Sequence, residues 1–193
     1  MRVLVACEFS GVVREAFAAR GHDAWSCDLL PTEIPGQHIQ GDVRAILNEG
    51  WDLMIAHPPC TYTSGAGYRW FKVQPDRMDK ARAGYDFFME MVNAPIPRIC
   101  VENTRGLLWQ WYRKPDQIIQ PCDFGHPMTK ATCLWLKNLP PLMATMVVVD
   151  PFVNWTKYKG SHRGKDRSRT FRGIAAAMAA QWDYQPAVQL QLL

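Results

Sequence analysis

Short apolar runs alternate with helical patterns along the first half of the chain. Arg2–Cys7 is the kind of run that forms a buried strand, and Gly11 punctuates the turn after it. Val12, Val13, Phe17 and Ala18 recur at helical spacing as far as Arg20, and Gly21 ends that helix. Asp23–Cys27 reads as a second strand closed by Asp28, and Asp42–Glu49 as a short helix. Trp51–Ala56 is an apolar strand that stops at His57-Pro58-Pro59-Cys60, because proline cannot continue a central strand. Asp76–Val92 predicts a helix with Tyr85, Phe88, Met89 and Val92 on one face. Arg98–Val101 predicts a further strand ending at Glu102-Asn103.

The second half is less regular. Thr132–Leu136 and Met146–Val149 read as strands around a turn at Asn138–Pro141, and Ile174–Trp182 as an Ala-rich helix. The tail, Gln185–Leu193, gives no signal. The alternation of strands and helices predicts an α/β fold, a mostly parallel sheet with helices on both faces. In such a sheet ligands bind beyond the C-terminal strand ends. Glu8 to Gly11, Asp28, Cys60 and Glu102 all follow or close predicted strands, which argues for one shared site.

Composition adds bounds. With 193 residues, 48% hydrophobic and 21% charged, the chain predicts one folded domain over 1–193. The sequence holds no long apolar span, and its first residues run straight into a strand, so a cytoplasmic protein without membrane contact is expected. Six cysteines lack Cys-x-x-Cys or zinc-type spacing, so reduced thiols and no metal are expected. Charge changes the picture in one place. Between Asn154 and Gly173 seven Lys or Arg, Arg167 and Arg169 among them, face a single Asp. Such a stretch suits a phosphate backbone, and equally a solvated loop.

The candidate chemistry falls in two halves. Phe9-Ser10-Gly11 makes a strand–turn–helix corner able to hold a nucleotide-like cofactor, with helix amides on offer. Asp28 stands about 20 residues on, where an acid accepts hydrogen bonds from ribose hydroxyls, or caps a turn. Leu29, Asp42, Val43 and Pro58 belong to the same expected pocket; Asp42 also reads as an N-cap. The other half pairs Cys60 with Glu102-Asn103 on neighbouring strand ends. A thiolate that attacks carbon 6 of cytosine turns the ring into an enamine, and a carboxylic acid at N3 stabilises the charge that develops. After Cys60 come Ser64, Tyr68, Arg69, Trp70 and Lys72, with Tyr62 and Phe71. These aromatics and cations suit base stacking and phosphate contact, or a flap packed on the core.

In these motifs the sequence resembles the cytosine-C5 DNA methyltransferases and, more loosely, small phage-type proteins related to them. Their Phe-x-Gly motif is matched by Phe9-Ser10-Gly11. Their Pro-Cys-Gln-x-Phe-Ser motif aligns with Pro59-Cys60-Thr61-Tyr62-Thr63-Ser64, and Glu-Asn-Val with Glu102-Asn103-Thr104. Their Asp-Tyr-Gly-x-Pro-Gln-x-Arg-x-Arg segment resembles Asp123 to Thr132, where Lys130 alone keeps a positive charge and Met128 and Thr132 replace the other polar groups. A final Gly-containing turn is matched by Arg172-Gly173-Ile174-Ala175.

The resemblance runs from residue 1 to about 138. It implies a class I S-adenosylmethionine-dependent methyltransferase fold, S-adenosylmethionine as cofactor, and methylation of cytosine carbon 5 in DNA. It also implies catalytic roles for Cys60, Glu102, Asn103 and Lys130, and the cytosol of a bacterium or phage-infected host. Only about 30 residues separate Asn138 from Thr170, where the family carries a target-recognition domain. Relaxed sequence preference, a partner protein for recognition, or a free cytosine nucleotide as substrate would each answer that absence. An amino-methyltransferase acting on an exocyclic nitrogen and a non-catalytic nucleic-acid-binding relative are the other readings. The sequence does not give the oligomeric state.

Overall fold

The computed structural model describes residues 1–151, 153–154 and 168–183. Among these residues nine strands are seen: β1 (Arg2–Ala6), β2 (Asp23–Asp28), β3 (His38–Gln40), β4 (Leu53–Ala56), β5 (Arg98–Asn103), β6 (Gln117–Ile119), β7 (Met128–Thr129), β8 (Thr132–Lys137) and β9 (Val153–Asn154). Seven form one sheet in the order β3-β2-β1-β4-β5-β8-β6, and β7 pairs with β9. The first five run parallel, and β8 and β6 close the sheet antiparallel.

Four α-helices accompany them among the described residues: α1 (Val12–Ala18), α2 (Arg77–Val92), α3 (Leu107–Trp111) and α4 (Arg172–Gln181). Period-two alternation sorts the core onto two faces. Val3, Val5, Leu53, Ile55 and Cys100 pack with Phe17 of α1 and with Ile174 and Met178 of α4. Leu4, Ala6, Met54, Ala56 and Val101 pack on the other face with Phe88 and Met91 of α2 and Leu108 of α3. Strands buried on both sides read as unbroken apolar runs, which is why β1 and β4 are legible in the sequence.

The chain steps outward from β1 to β3, then returns across β1 to lay β4 on its other side. This reversal opens a crevice beyond the C-terminal ends of β1 and β4, the place where such sheets bind ligands.

Several expectations change. Met146–Val149 is not a strand: only Met146 makes an isolated bridge, to Phe124. Met146, Val147 and Val149 are largely exposed, so this apolar run has no sheet to enter. Asp42–Glu49 is a single 3-10 turn over Val43–Ile46, too short for the α-helical pattern. In α2 the expected stripe does face the core, with Phe88 buried and Tyr85, Met89 and Val92 packed half-buried beside it, and Arg77, Ala81 and Met91 are buried as well. No helix among the described residues is long and apolar enough to cross a membrane.

Candidate active site

A cleft of about 500 Å3 lies beyond the strand ends. Its lining includes Glu8, Phe9 and Ser10 after β1, Asp28 at the end of β2, Pro58 to Thr61 after β4, and Glu102 to Thr104 at the end of β5. Four expected positions thus share one wall. Ser64 and Lys130 join them. A second hollow of about 260 Å3 adjoins, lined by Leu29, Asp42 and Val43 and sharing Cys7, Asp28 and Pro59.

The corner after β1 is built around Glu8. Its buried carboxylate accepts hydrogen bonds from the Val13 amide at 2.7 Å, the Arg14 amide at 3.2 Å and the Ser10 hydroxyl at 3.0 Å. These bonds satisfy the start of α1, so its amides are not on offer to a ligand. A carboxylate there also repels phosphate. Gly11, with φ 75°, lies outside the cleft lining, and the space beside its Cα is filled by the guanidinium of Arg14. Its glycine character serves the turn and Arg14. Cys7 takes φ 58°, uncommon for a non-glycine residue, as the chain leaves β1. Burial and the neighbouring Asp28 carboxylate push its thiol up to about 12.

Asp28 accepts a hydrogen bond from the Leu30 amide at 2.9 Å and still faces both hollows. Asp42 caps the 3-10 turn and holds Arg44 at 2.6 Å, so it caps and lines at once. That contact holds its carboxyl below the ordinary value.

Cys60 sits where β4 has left the sheet. The His57 amide still bonds the Ala6 carbonyl at 2.9 Å, and the two prolines that follow carry no N–H. The Cys60 carbonyl then accepts from the amides of Thr63 and Ser64. Burial raises the Cys60 thiol above its ordinary value, the Glu102 carboxylate adds to that, and Lys130 and the Thr104 hydroxyl pull it back.

Glu102 and Asn103 end β5. The Asn103 side chain donates to the Pro58 carbonyl at 2.9 Å. Glu102 Oε2 meets His57 Nδ1 at 2.8 Å. Burial pushes the Glu102 carboxyl up, but the His57 hydrogen bond and the charge of Lys130 outweigh it and hold the group below its ordinary value. Sequence reading treats His57 as part of a strand exit; only the register of β4 on β5 reveals it.

The segment after Cys60 divides. A 3-10 helix covers Gly65–Lys72. Buried Arg77 donates to the Thr61 carbonyl at 3.0 Å and lies 5.2 Å from the Tyr62 ring and 5.3 Å from the Phe71 ring. Those two aromatics belong to a packed flap. Tyr68 and Trp70 are exposed, with Arg69 stacked 4.8 Å from the Trp70 ring, and Lys72 is exposed beside them. The flap is stitched to the end of β5 by a bridge between Ser64 and Gly106. Arg169 is held by Glu33 through two hydrogen bonds, of 2.7 and 2.8 Å, which ties it to the loop after β2. Arg167, the rest of the basic stretch at 155–166, and the tail at 185–193 lie outside the described residues.

No protein-family model matches the sequence. No curated protein matches it either. Among solved structures, it is similar to a candidate DNA modification methyltransferase encoded within an Escherichia coli prophage. The TM-score is 0.51 at 16% identity, over 77% of this chain and 52% of that one. The chain therefore spans about half the length of that protein. At this identity the likeness speaks for architecture, and with the sheet order it makes the fold a Rossmann-like methyltransferase fold.

Proposed function

We propose that the protein is an S-adenosylmethionine-dependent methyltransferase acting on carbon 5 of cytosine in DNA, within a single catalytic domain. The observation that carries this reading is the meeting of Cys60 and Glu102 in one cleft, facing the Glu8–Ser10 corner. The prophage protein, named for DNA modification, supports DNA as the polymer.

The cofactor pocket fits the assignment. Glu8 closes the start of α1 to anions, which disfavours a pyrophosphate cofactor and suits an adenosine that carries none. Phe9, Ser10, Asp28, Leu29, Asp42, Val43 and Pro58 would hold S-adenosylmethionine, with Gly11 behind them shaping the turn. When bound, it would supply an electrophilic methyl group on its sulfonium.

The chain's own residues do the rest. The Cys60 sulfur adds to carbon 6, the carbon 5–carbon 6 π pair shifts to carbon 4–carbon 5, and the carbon 4–N3 π pair moves onto N3. Glu102 gives N3 a proton, which leaves an enamine nucleophilic at carbon 5. Before cytosine docks, the Glu102 carboxylate raises the Cys60 thiol. As N3 engages it, that carboxylate takes up the proton that the Cys60 thiol gives up, so docking of the base itself frees the thiolate and leaves Glu102 with the proton it passes to N3. Lys130, whose charge lowers both groups, takes the place of the family's arginines. Tyr68, Arg69, Trp70 and Lys72 form an exposed rim for bases and phosphates flanking the target. In duplex DNA the target base must be flipped out to reach Cys60.

A free cytosine nucleotide is the second reading, favoured by the short connection between β8 and α4. Labelled cofactor offered with duplex DNA or with dCMP separates the two. Label in DNA is expected; label in dCMP alone would overturn the DNA reading. A covalent adduct with 5-fluorocytosine DNA, lost in Cys60→Ser, tests the chemistry.

A further inference from the structure

His57 has no counterpart among the motifs that suggest the reaction, yet its placement is set by the sheet. In the parallel register Ala56 lies beside Val101, so the next residues, His57 and Glu102, are neighbours across the same pair of strands. Alternation sends both to one face. Leu53, Ile55 and Cys100 occupy that face, and His57 and Glu102 continue the two rows. The imidazole is 8% exposed and the Glu102 side chain 17%. Nδ1 meets Oε2 at 2.8 Å, and Nε2 is buried with no hydrogen-bond partner among the described residues. With the hydrogen on Nδ1, the ring donates to Glu102 and leaves Nε2 as a lone pair. An orphan acceptor is less costly than an orphan N–H, so the surroundings select this tautomer.

The fold has no need of such a pair. Two polar side chains drawn out of water at the end of a buried strand cost more than apolar ones of similar size. What the pair does supply is a fixed carboxyl. One oxygen is tied to the wall, and the other is left for the cleft that Glu102 lines.

We propose that His57 is a positioning residue for Glu102: its Nδ1–H holds Oε2, so that Oε1 is the oxygen that carries the proton to N3 of the cytosine. The inference rests on the cytosine reading given above. As sulfur bonds to carbon 6, the O–H bond at Oε1 breaks and N3 takes the proton. The carboxylate left behind keeps its hydrogen bond from Nδ1, which stabilises the charge it has gained. After methyl transfer a water molecule takes the carbon 5 proton, the carbon 6–sulfur bond breaks with its electron pair leaving on sulfur, and N3 returns its proton to Glu102. The imidazole stays in place throughout. The charged and titratable neighbours of the pair are Cys60 from the turn after β4, Lys130 from the segment after β7, Cys100 in β5 and Cys133 in β8.

Two substitutions separate positioning from simple packing. An asparagine amide reaches about where Nδ1 stands, whereas a glutamine amide reaches toward Nε2. His57→Asn is therefore expected to keep adduct formation on 5-fluorocytosine DNA or nucleotide within a few-fold of wild type. His57→Gln and His57→Phe are expected to slow it about a hundredfold, the scale of a misplaced reacting group. Binding of S-adenosylmethionine by calorimetry should stay unchanged in all three, which also reports that each is folded. Wild-type rates in the Gln and Phe variants, or an Asn variant as slow as they are, would overturn the role of His57. If wild-type protein forms no adduct on either substrate, the cytosine reading falls, and this proposal with it.

Discussion

The Asn103 side-chain amide donates a 2.9 Å hydrogen bond to the Pro58 carbonyl, joining the end of β5 to the turn that presents Cys60. Two consecutive prolines leave this stretch of backbone without N–H groups, so it depends on a donor from outside. Asn103 is almost fully buried. Asn103→Ala leaves the Pro58 carbonyl unpaired at a cost of about 1–3 kcal/mol. The expected result is a lower denaturant midpoint and an adduct rate that falls further than cofactor affinity. Asn103→Asp should be worse, because it aims a carboxylate at a carbonyl.

The Cys60 thiol is raised by burial and then by Glu102, and lowered by Lys130. Removing the Glu102 charge therefore lowers the thiol and raises its thiolate fraction at neutral pH. Glu102→Gln should speed alkylation of Cys60 by iodoacetamide even as it abolishes methyl transfer. Lys130→Met should slow alkylation. Peptide mass spectrometry across pH 7–10 resolves Cys60 from the other five thiols. Equal rates in all three proteins would break the electrostatic link on which substrate-triggered activation depends.

Much of the frame is legible in the sequence itself. β1, β4 and β5 are buried on both faces, so their apolar runs stand out, and residues at strand ends fall into the cleft almost automatically. What could not be read is what depends on pairing across the sheet or on side chains meeting from afar. His57 looks like the end of a strand until β4 is set beside β5. Arg77 sits at the start of α2 and gives no sign that it holds the Thr61 carbonyl 16 positions earlier. Glu8 reads as one more polar turn residue, yet it occupies the amides that the turn seems to offer. The Met146–Val149 run misleads in the opposite direction, because apolar content alone cannot distinguish a strand from an exposed coil.

Gly106 stands where the flap after Cys60 meets the end of β5. A β-carbon there would lie 2.0 Å from the Thr63 carbonyl oxygen and 2.9 Å from the Gly65 nitrogen. The same backbone makes two hydrogen bonds across the junction, Leu107 to Thr63 at 2.8 Å and Gly65 to Arg105 at 2.9 Å. Gly106→Ala must push these strands apart, costing on the order of 3 kcal/mol. A fall in melting temperature is expected together with loss of adduct formation, although Gly106 touches none of the reacting groups. A variant of wild-type stability and rate would show that the flap is not held by this junction.

His126 ties the loop before β7 to the start of α4, and its chemistry sets a direction with pH. Its Nε2 accepts the Gly173 amide at 3.0 Å, satisfying one of the open amides at the start of α4. The ring packs 5.0 Å from that of Phe171. Burial holds the imidazole below its ordinary value. A folded state that binds its proton more weakly than the unfolded chain loses stability as protons become available. The contribution is complete above the unfolded value, about 6.5, and is lost as pH falls through the lower folded value. Protonation also removes the lone pair that accepts the Gly173 amide. His126→Leu should cost about 1 kcal/mol at pH 8, as the loss of a helix cap does. The gap between variant and wild type should narrow as urea midpoints are followed down to pH 5. A constant gap across that range would mean that His126 supports α4 by packing alone.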